Sequence, residues 1–106
     1  MTNTDMIREL NDRFRTTFRG GQVLMTRGVA ARDDADQVLN LVKAFNTFSE
    51  DDDPHGEHDF GAIDHDGEKI FWKIDYYDSD LQQGSQDPAE PAVTTRVLTI
   101  MLADEY

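Results

Sequence analysis

The 106-residue sequence contains no cysteine, no long apolar run and few basic residues. The absence of cysteine excludes disulfides and thiolate metal sites, and it suits a reducing cytosol. The longest apolar stretch, Val97 to Ala103, is interrupted by Thr99 and falls short of the roughly 20 residues that span a bilayer. The opening MTNTDMIREL lacks the basic start and apolar centre of a secretory signal. We therefore expect a cytoplasmic protein with no membrane partner.

Basic residues are scarce and unevenly placed, and the formal net charge at pH 7 is −12. Residues 1–32 hold six arginines and three acidic residues, whereas residues 33–106 hold four basic and nineteen acidic residues. No lysine or arginine lies between Lys43 and Lys69. Because such a surface repels phosphate backbones, we expect no direct contact with nucleic acid. The natural partner is a basic protein, or bound cations.

Length and composition predict a single α+β domain over residues 1–106. We predict a small antiparallel sheet with a central β-hairpin, packed by two or three helices. Apolar periodicity predicts a strand over residues 22–29 and a helix over residues 34–48.

The first helix is predicted over residues 3–19, capped by Asn3 or Thr4 and ended by Gly20 and Gly21. Three arginines are predicted to share one outward stripe of this helix: Arg8, Arg15 and Arg19. No aromatic residues interleave with them, which is weak support for a nucleic-acid interface. We expect them to neutralise the acidic body, within the chain or across a homodimer.

The hairpin is predicted over about 57–77, where Asp66-Gly67 marks the turn between two runs of strand-forming residues. A three-residue loop puts Asp59 opposite Lys73, as a simple cross-strand ion pair, and pairs apolar residues with one another. A two-residue turn puts Asp59 opposite Ile74 instead. We therefore favour the three-residue loop.

The last segments of the chain are harder to assign. The composition of residues 78–92 predicts a polar connection that is unusually long for a small domain. Residues 93–106 have the β-branched content of a strand but also apolar residues at helical spacing. Pro91 upstream and the threonines that follow it favour a helix, with a strand as the alternative.

Five blocks, spread in order over nearly the whole chain, carry a family resemblance: IRELNDRFR (7–15), GGQVLMTRGV (20–29), DPHGEHDFGAID (53–64), FWKIDYYD (71–78) and TTRVLTIMLADEY (94–106). Together they resemble a family of short bacterial proteins of unknown function, marked by an His-Asp-Phe-Gly motif, here His58–Gly61. The resemblance implies a bacterial, mostly proteobacterial origin. It implies no established activity and no catalytic residue.

All three histidines lie within eleven residues and among seven acidic ones. Imidazole and carboxylate are ligands of first-row divalent metals. His65 is predicted near the hairpin tip, about 20 Å from the other two at ~3.3 Å per strand residue. The candidate metal ligands are therefore His55, His58 and Asp59, and the wider candidate polar cluster is His55, Glu57, His58, Asp59 and Lys73. The simpler interpretation, which we favour, is a solvated turn whose side chains cap backbone groups, with no cofactor.

The sequence contains no phosphate loop, nucleophile motif or dinucleotide fingerprint, and therefore favours no enzyme class. The charge predicts a non-enzymatic acidic binding protein that docks on a basic partner, with a nucleic-acid mimic that inhibits a nucleic-acid-binding enzyme as a special case. A divalent-metal-binding protein or metal-dependent enzyme that uses residues 51–66 is the alternative, and a structural homodimer is a third. The candidate partner-binding residues are Asp51, Asp52, Asp53, Asp78 and Asp80.

Overall fold

A computed structural model describes all 106 residues as three helices and one four-stranded sheet. The elements in chain order are α1 (Asn3–Thr17), β1 (Gly21–Met25), α2 (Arg27–Ala30), α3 (Ala35–Ala44), β2 (Phe60–His65), β3 (Glu68–Tyr77) and β4 (Thr95–Leu102). The strand order is β1-β4-β3-β2, with β4 antiparallel to β3 and parallel to β1. The predicted α+β class is confirmed, and β1 adds one parallel pairing that the sequence did not predict. None of the helices combines the length and the apolar character that crossing a bilayer requires.

The helices cover only one face of the sheet. Alternate residues of a strand point to opposite faces, so Ile70, Trp72 and Ile74 of β3 lie on the helix side. They pack with α1 and α3 into one core, whose buried members are Phe14, Val29, Val38, Val42, Ile70, Trp72, Ile74, Leu98 and Ile100. The other face of the sheet carries no α-helix, although the 3-10 helix Ala103–Glu105 after β4 lies at its margin.

Helix α1 begins at Asn3, as predicted, but its N-cap is neither Asn3 nor Thr4, and the helix ends at Thr17, two residues before the predicted end. Thr2 is the N-cap, because its Oγ1 accepts the N–H of Asp5 while the Asp5 carboxylate accepts the N–H of Thr2. The predicted outward stripe is wrong at Arg15, which is 3% exposed. Its guanidinium donates to the carbonyls of Val42 and Phe45 at the C-terminal end of α3, where the helix dipole favours a cation.

The hairpin has the register that the sequence argument rejected. Asp66 and Gly67 alone form the turn, with φ angles of 51° and 77° that fit a type I′ turn. The carbonyl of Asp59 accepts the N–H of Ile74, so the predicted pairing of Asp59 with Lys73 is wrong. The turn fixes this register, because a type I′ turn matches the twist of the two strands.

Two further boundaries differ from the predictions. The helix predicted over residues 34–48 is α3, and it ends at Ala44. The backbone of Phe45 is extended (φ −60°, ψ 131°), and its ring packs edge-on against Trp72. The predicted C-terminal helix is wrong, since residues 95–102 form β4 in the middle of the sheet. Its apolar residues are buried on both faces of the sheet, and a run of that kind imitates helical spacing.

Candidate functional site

The candidate partner-binding residues lie at one end of the molecule, which we call the acidic end: Asp51, Asp52, Asp53, Asp78 and Asp80. Residues 51–53 precede β2 and residues 78–80 follow β3, and these are the open ends of the two paired strands. The hairpin turn lies about 30 Å from residues 78–80, because the ten residues of β3 separate them at ~3.3 Å per strand residue. The pairing of the two strands therefore brings the two acidic segments to the same end of the sheet.

Three carboxylates of the acidic end have no hydrogen-bond partner within the chain, and the other two accept hydrogen bonds from backbone N–H groups. Asp51, Asp52 and Asp80 are exposed, and their carboxylates form no hydrogen bond or ion pair within the chain. Asp53 is 8% exposed, and its Oδ1 accepts the N–H of His58 at 3.0 Å. The Oδ1 of Asp78 accepts the N–H of Gln82 at 3.1 Å. The bound carboxylates order the turns from which the free ones project.

Most of the negative charge after α2 has no positive partner. Four of the nineteen acidic residues from Asp33 onward form ion pairs with lysine or arginine: Asp34, Asp64, Glu68 and Asp75. The paired arginines of α1 bind acids of the same helix, Arg8 with Asp5 and Arg15 with Asp12. The expectation that the α1 arginines neutralise the acidic body within the chain is therefore wrong.

The predicted metal ligands do not converge. His58 has φ +56°, its ring stacks on Phe48 at 3.6 Å, and its Nδ1 lies 2.9 Å from Oδ1 of Asp12. His55 is exposed, and the carbonyl of Asp59 is part of the β2–β3 pairing. His58 therefore joins the loop before β2 to α1, as a packing residue.

A different group brings three metal-ligating side chains together at the hairpin turn. Atoms of Asp34, His65 and Asp66 lie within 4.8 Å of one another. Arg32 donates two hydrogen bonds to the Asp34 carboxylate, at 2.7 and 3.1 Å. These bonds, with that of His65, lower the pKa of Asp34 to about 2. The guanidinium neutralises this carboxylate, so Arg32, Asp34 and His65 form an ion-pair cluster.

Glu57 belongs to a buried polar network behind the acidic end. The side-chain amide of Asn11 donates to the Tyr76 hydroxyl at 2.8 Å and to the Glu57 carbonyl at 3.0 Å. The Tyr76 hydroxyl donates to Glu57 Oε1 at 2.7 Å, and Arg96 Nε donates to Asn11 Oδ1 at 2.7 Å. Arg96 also donates to the carbonyl of Pro88. The network thus joins α1, β3 and β4 to the loop before β2 and to the connection between β3 and β4.

Burial shifts the acidity of several groups in and beside this network. Burial raises the pKa of the Tyr76 hydroxyl, and its hydrogen bond to Glu57 adds to the shift, so the hydroxyl stays a donor. Burial and the nearby Glu57 carboxylate raise the pKa of Asp59. Sequence reasoning missed Asn11 and Arg96. Asn11 stands at core spacing between Ile7 and Phe14, and that position is the one signal that could have identified it.

The uncovered face of the sheet forms a groove, which we call the open groove, with a cavity volume of about 580 Å³. Its apolar lining comprises Leu24, Tyr77, Leu81, Val97, Met101 and Tyr106. Lys73, from the predicted polar cluster, lies in this groove and pairs with Asp75 of its own strand at 2.9 Å. This ion pair raises the pKa of Lys73. Six of the twelve lining residues are apolar, and the Thr26 hydroxyl at the margin donates to the Glu105 carboxylate. A groove of this composition suits the binding of a partner.

Comparison with known proteins gives a match to a family but not to any characterised protein. A family model described as a protein of unknown function (DUF3768) matches residues 25–105. No curated protein and no solved structure matches the chain.

Proposed function

We propose that this chain, which belongs to the DUF3768 family of proteins of unknown function, is a non-enzymatic binding protein whose acidic end docks on a basic protein partner. The observation that supports this function is the large unpaired negative charge. Fifteen of the nineteen acidic residues from Asp33 onward have no lysine or arginine partner. Unpaired surface charges generate a field that accelerates encounters with a partner of opposite charge.

The acidic end is also supported by ordered structure. Asp53 and Asp78 accept hydrogen bonds from backbone N–H groups. Asn11 donates to the carbonyl of Glu57 in the loop before β2, and Arg96 donates to that of Pro88 in the connection after β3. A preordered surface loses less conformational entropy when it binds than a mobile loop does. The acidic end therefore suits specific docking better than a disordered acidic tail would.

A nucleic-acid mimic is a special case of the same function. In that case, the partner is a nucleic-acid-binding enzyme whose basic groove accepts carboxylates in place of phosphates. Competition with duplex DNA separates this case from the general one. DNA would displace the protein from such an enzyme, but would not displace it from a basic partner that does not bind DNA.

The test compares two triple variants that each remove three exposed negative charges. One changes the acidic end (Asp51→Asn, Asp52→Asn, Asp80→Asn), and the matched control changes the opposite end near the hairpin turn (Asp33→Asn, Asp36→Asn, Asp66→Asn). Binding of a fluorescent lysine- and arginine-rich peptide is measured by anisotropy from low to high salt. We expect the acidic-end variant to lose about 0.6–3 kcal/mol of binding free energy, roughly a three- to 150-fold weaker affinity, and the control variant to lose less.

Salt dependence provides the second readout. The Debye length falls from about 10 Å at 0.1 M to about 3 Å at 1 M salt, so binding through exposed carboxylates should weaken steeply over that range. An affinity that salt does not change, or equal losses in both triple variants, would contradict docking at the acidic end.

A further inference from the structure

The open groove is the one large face of the sheet that no helix covers. Because strand side chains alternate between faces, Leu24, Val97 and Met101 point away from the core that α1 and α3 build. Val97 and Met101 are 7% and 3% exposed, whereas Leu24 is 50% exposed. Leu81 and Tyr106 also line the groove and are 43% and 76% exposed, so a partner could bury more apolar surface at these three residues.

The charges around the open groove are mainly negative. Lys73 within it is neutralised by Asp75. At one end of the groove, Leu81 stands 43% exposed directly after Asp80 of the acidic end. At the other end, Glu105 lines the groove, and hydrogen bonds from Thr26, Leu102 and Gly28 lower its pKa, which keeps it ionised. An apolar floor between carboxylates complements a segment with one apolar face and basic residues around it.

Domains consist of two or occasionally three packed layers, and here the helices cover one face of the sheet and leave the other face accessible. A helix on the open groove would complete the third layer. Peptide helices dock on apolar grooves through side chains at i, i+3, i+4 and i+7, while their polar face remains accessible to rim charges.

We propose that the open groove receives an amphipathic basic helix of the partner. Its apolar side chains cover Leu24, Leu81 and Tyr106, the exposed apolar side chains of the groove, and its lysines or arginines reach the carboxylates at the groove ends, including Asp80. This inference rests on the proposed function, because it names the surface and the chemistry of the same basic partner.

The test uses two labelled peptides of leucine and lysine with identical composition and about 18 residues, roughly 27 Å as a helix. One has its leucines on a single helical face, and in the other the order is scrambled so that no such face exists. Since both carry the same charge, only an apolar groove distinguishes them. We expect the amphipathic peptide to bind at least about tenfold tighter, from the apolar area that it alone can bury.

A matched pair of protein variants locates the contact. Leu24→Gln changes the open groove, and Leu41→Gln makes the same change on α3, in the other layer, where Leu41 is 37% exposed. Circular dichroism verifies that both variants fold. We expect Leu24→Gln to weaken the amphipathic peptide roughly three- to tenfold, and Leu41→Gln to leave it unchanged.

Each contrary outcome has a distinct meaning. Equal, strongly salt-dependent binding of both peptides would overturn the groove proposal and leave the acidic binding function intact. No binding of either peptide would overturn both. Concentration-dependent dimerisation in sedimentation that Leu24→Gln abolishes, without displacement by the peptide, would show that a second copy occupies the groove and would overturn the proposal.

Discussion

Replacing Gly61 with alanine should destabilise the fold through a steric conflict inside the hairpin. Gly61 of β2 pairs with Trp72 of β3, and the indole lies directly over the glycine. A Cβ at this position would clash with Nε1 of Trp72, and it would lie 2.7 Å from Cε2 of the same ring and 2.8 Å from Cζ of Phe45. Real Cβ atoms essentially never approach so closely, so the backbone or both rings must move.

The expected loss follows from the position of these rings in the core. Trp72 is 0% exposed and belongs to the main core cluster, so its ring has little room to shift. Overpacking of a core typically costs about 1–3 kcal/mol. For a domain of about 100 residues, that loss lowers the melting temperature by roughly 5–14 °C.

Urea and thermal unfolding provide the assay, with fluorescence of Trp72, the single tryptophan, as the signal. The control is Gly84→Ala, because a Cβ there meets its nearest atom at 3.8 Å and the residue has no positive φ. We expect that variant to stay within about 0.5 kcal/mol of the wild type or to gain stability. In a Trp72→Phe background, which is followed by circular dichroism, Gly61→Ala should cost less. Equal stability of Gly61→Ala and Gly84→Ala would refute the reasoning.

Three further predictions concern polar side chains. Asn11→Leu leaves Arg96 Nε without its buried acceptor, so the unfolding free energy should fall by about 1–3 kcal/mol; an unchanged urea midpoint would argue against the network. Arg32 and His65 hold the pKa of Asp34 below its usual 3.8, at about 2, so the stabilisation is present above about pH 4 and is lost as the pH falls towards 2. Asp34→Asn should therefore be less stable than the wild type at pH 7 and should match it near pH 2, as measured by urea midpoints. Burial raises the pKa of Asp59, so its ionised form opposes folding; Asp59→Asn should gain stability at pH 7 but not at pH 3, and a loss at pH 7 would contradict this.

Local signals in the sequence located most helices and strands. The errors arose where contacts between distant segments determine the strand register or the type of element. The apolar spacing of α1 and the Asp66-Gly67 pair at the hairpin turn are both local sequence signals, so the helix and the position of the turn were predictable. The hairpin register was wrong because like-with-like pairing ignored the space that Gly61 gives to Trp72 across the strands. The C-terminal segment was wrong because burial on both faces erases the alternation that marks a strand.

The candidate site also has features that the sequence predicts and features that depend on the fold. The charge of the acidic end can be read from composition, but its convergence depends on which ends of two strands lie together. The contact between Asn11 and Arg96 joins positions 85 residues apart, and no local pattern encodes it. The open groove appears only when strand order and helix placement are both known.

The place of β4 in the sheet has a consequence for how the molecule assembles. β4 lies between β1 and β3, yet it follows both of them in the chain. During synthesis the β2–β3 hairpin can form early, since its contacts are local, whereas β1 must wait for a neighbour made some seventy residues later. Until then, the backbone N–H and C=O groups of β1 and of one edge of β3 have no partner strand and bind water instead. A nascent chain that stalls before β4 therefore exposes two unpaired strand edges, which can pair with strands of other chains. We expect such a chain to aggregate more readily than the complete protein, in which β4 covers both edges.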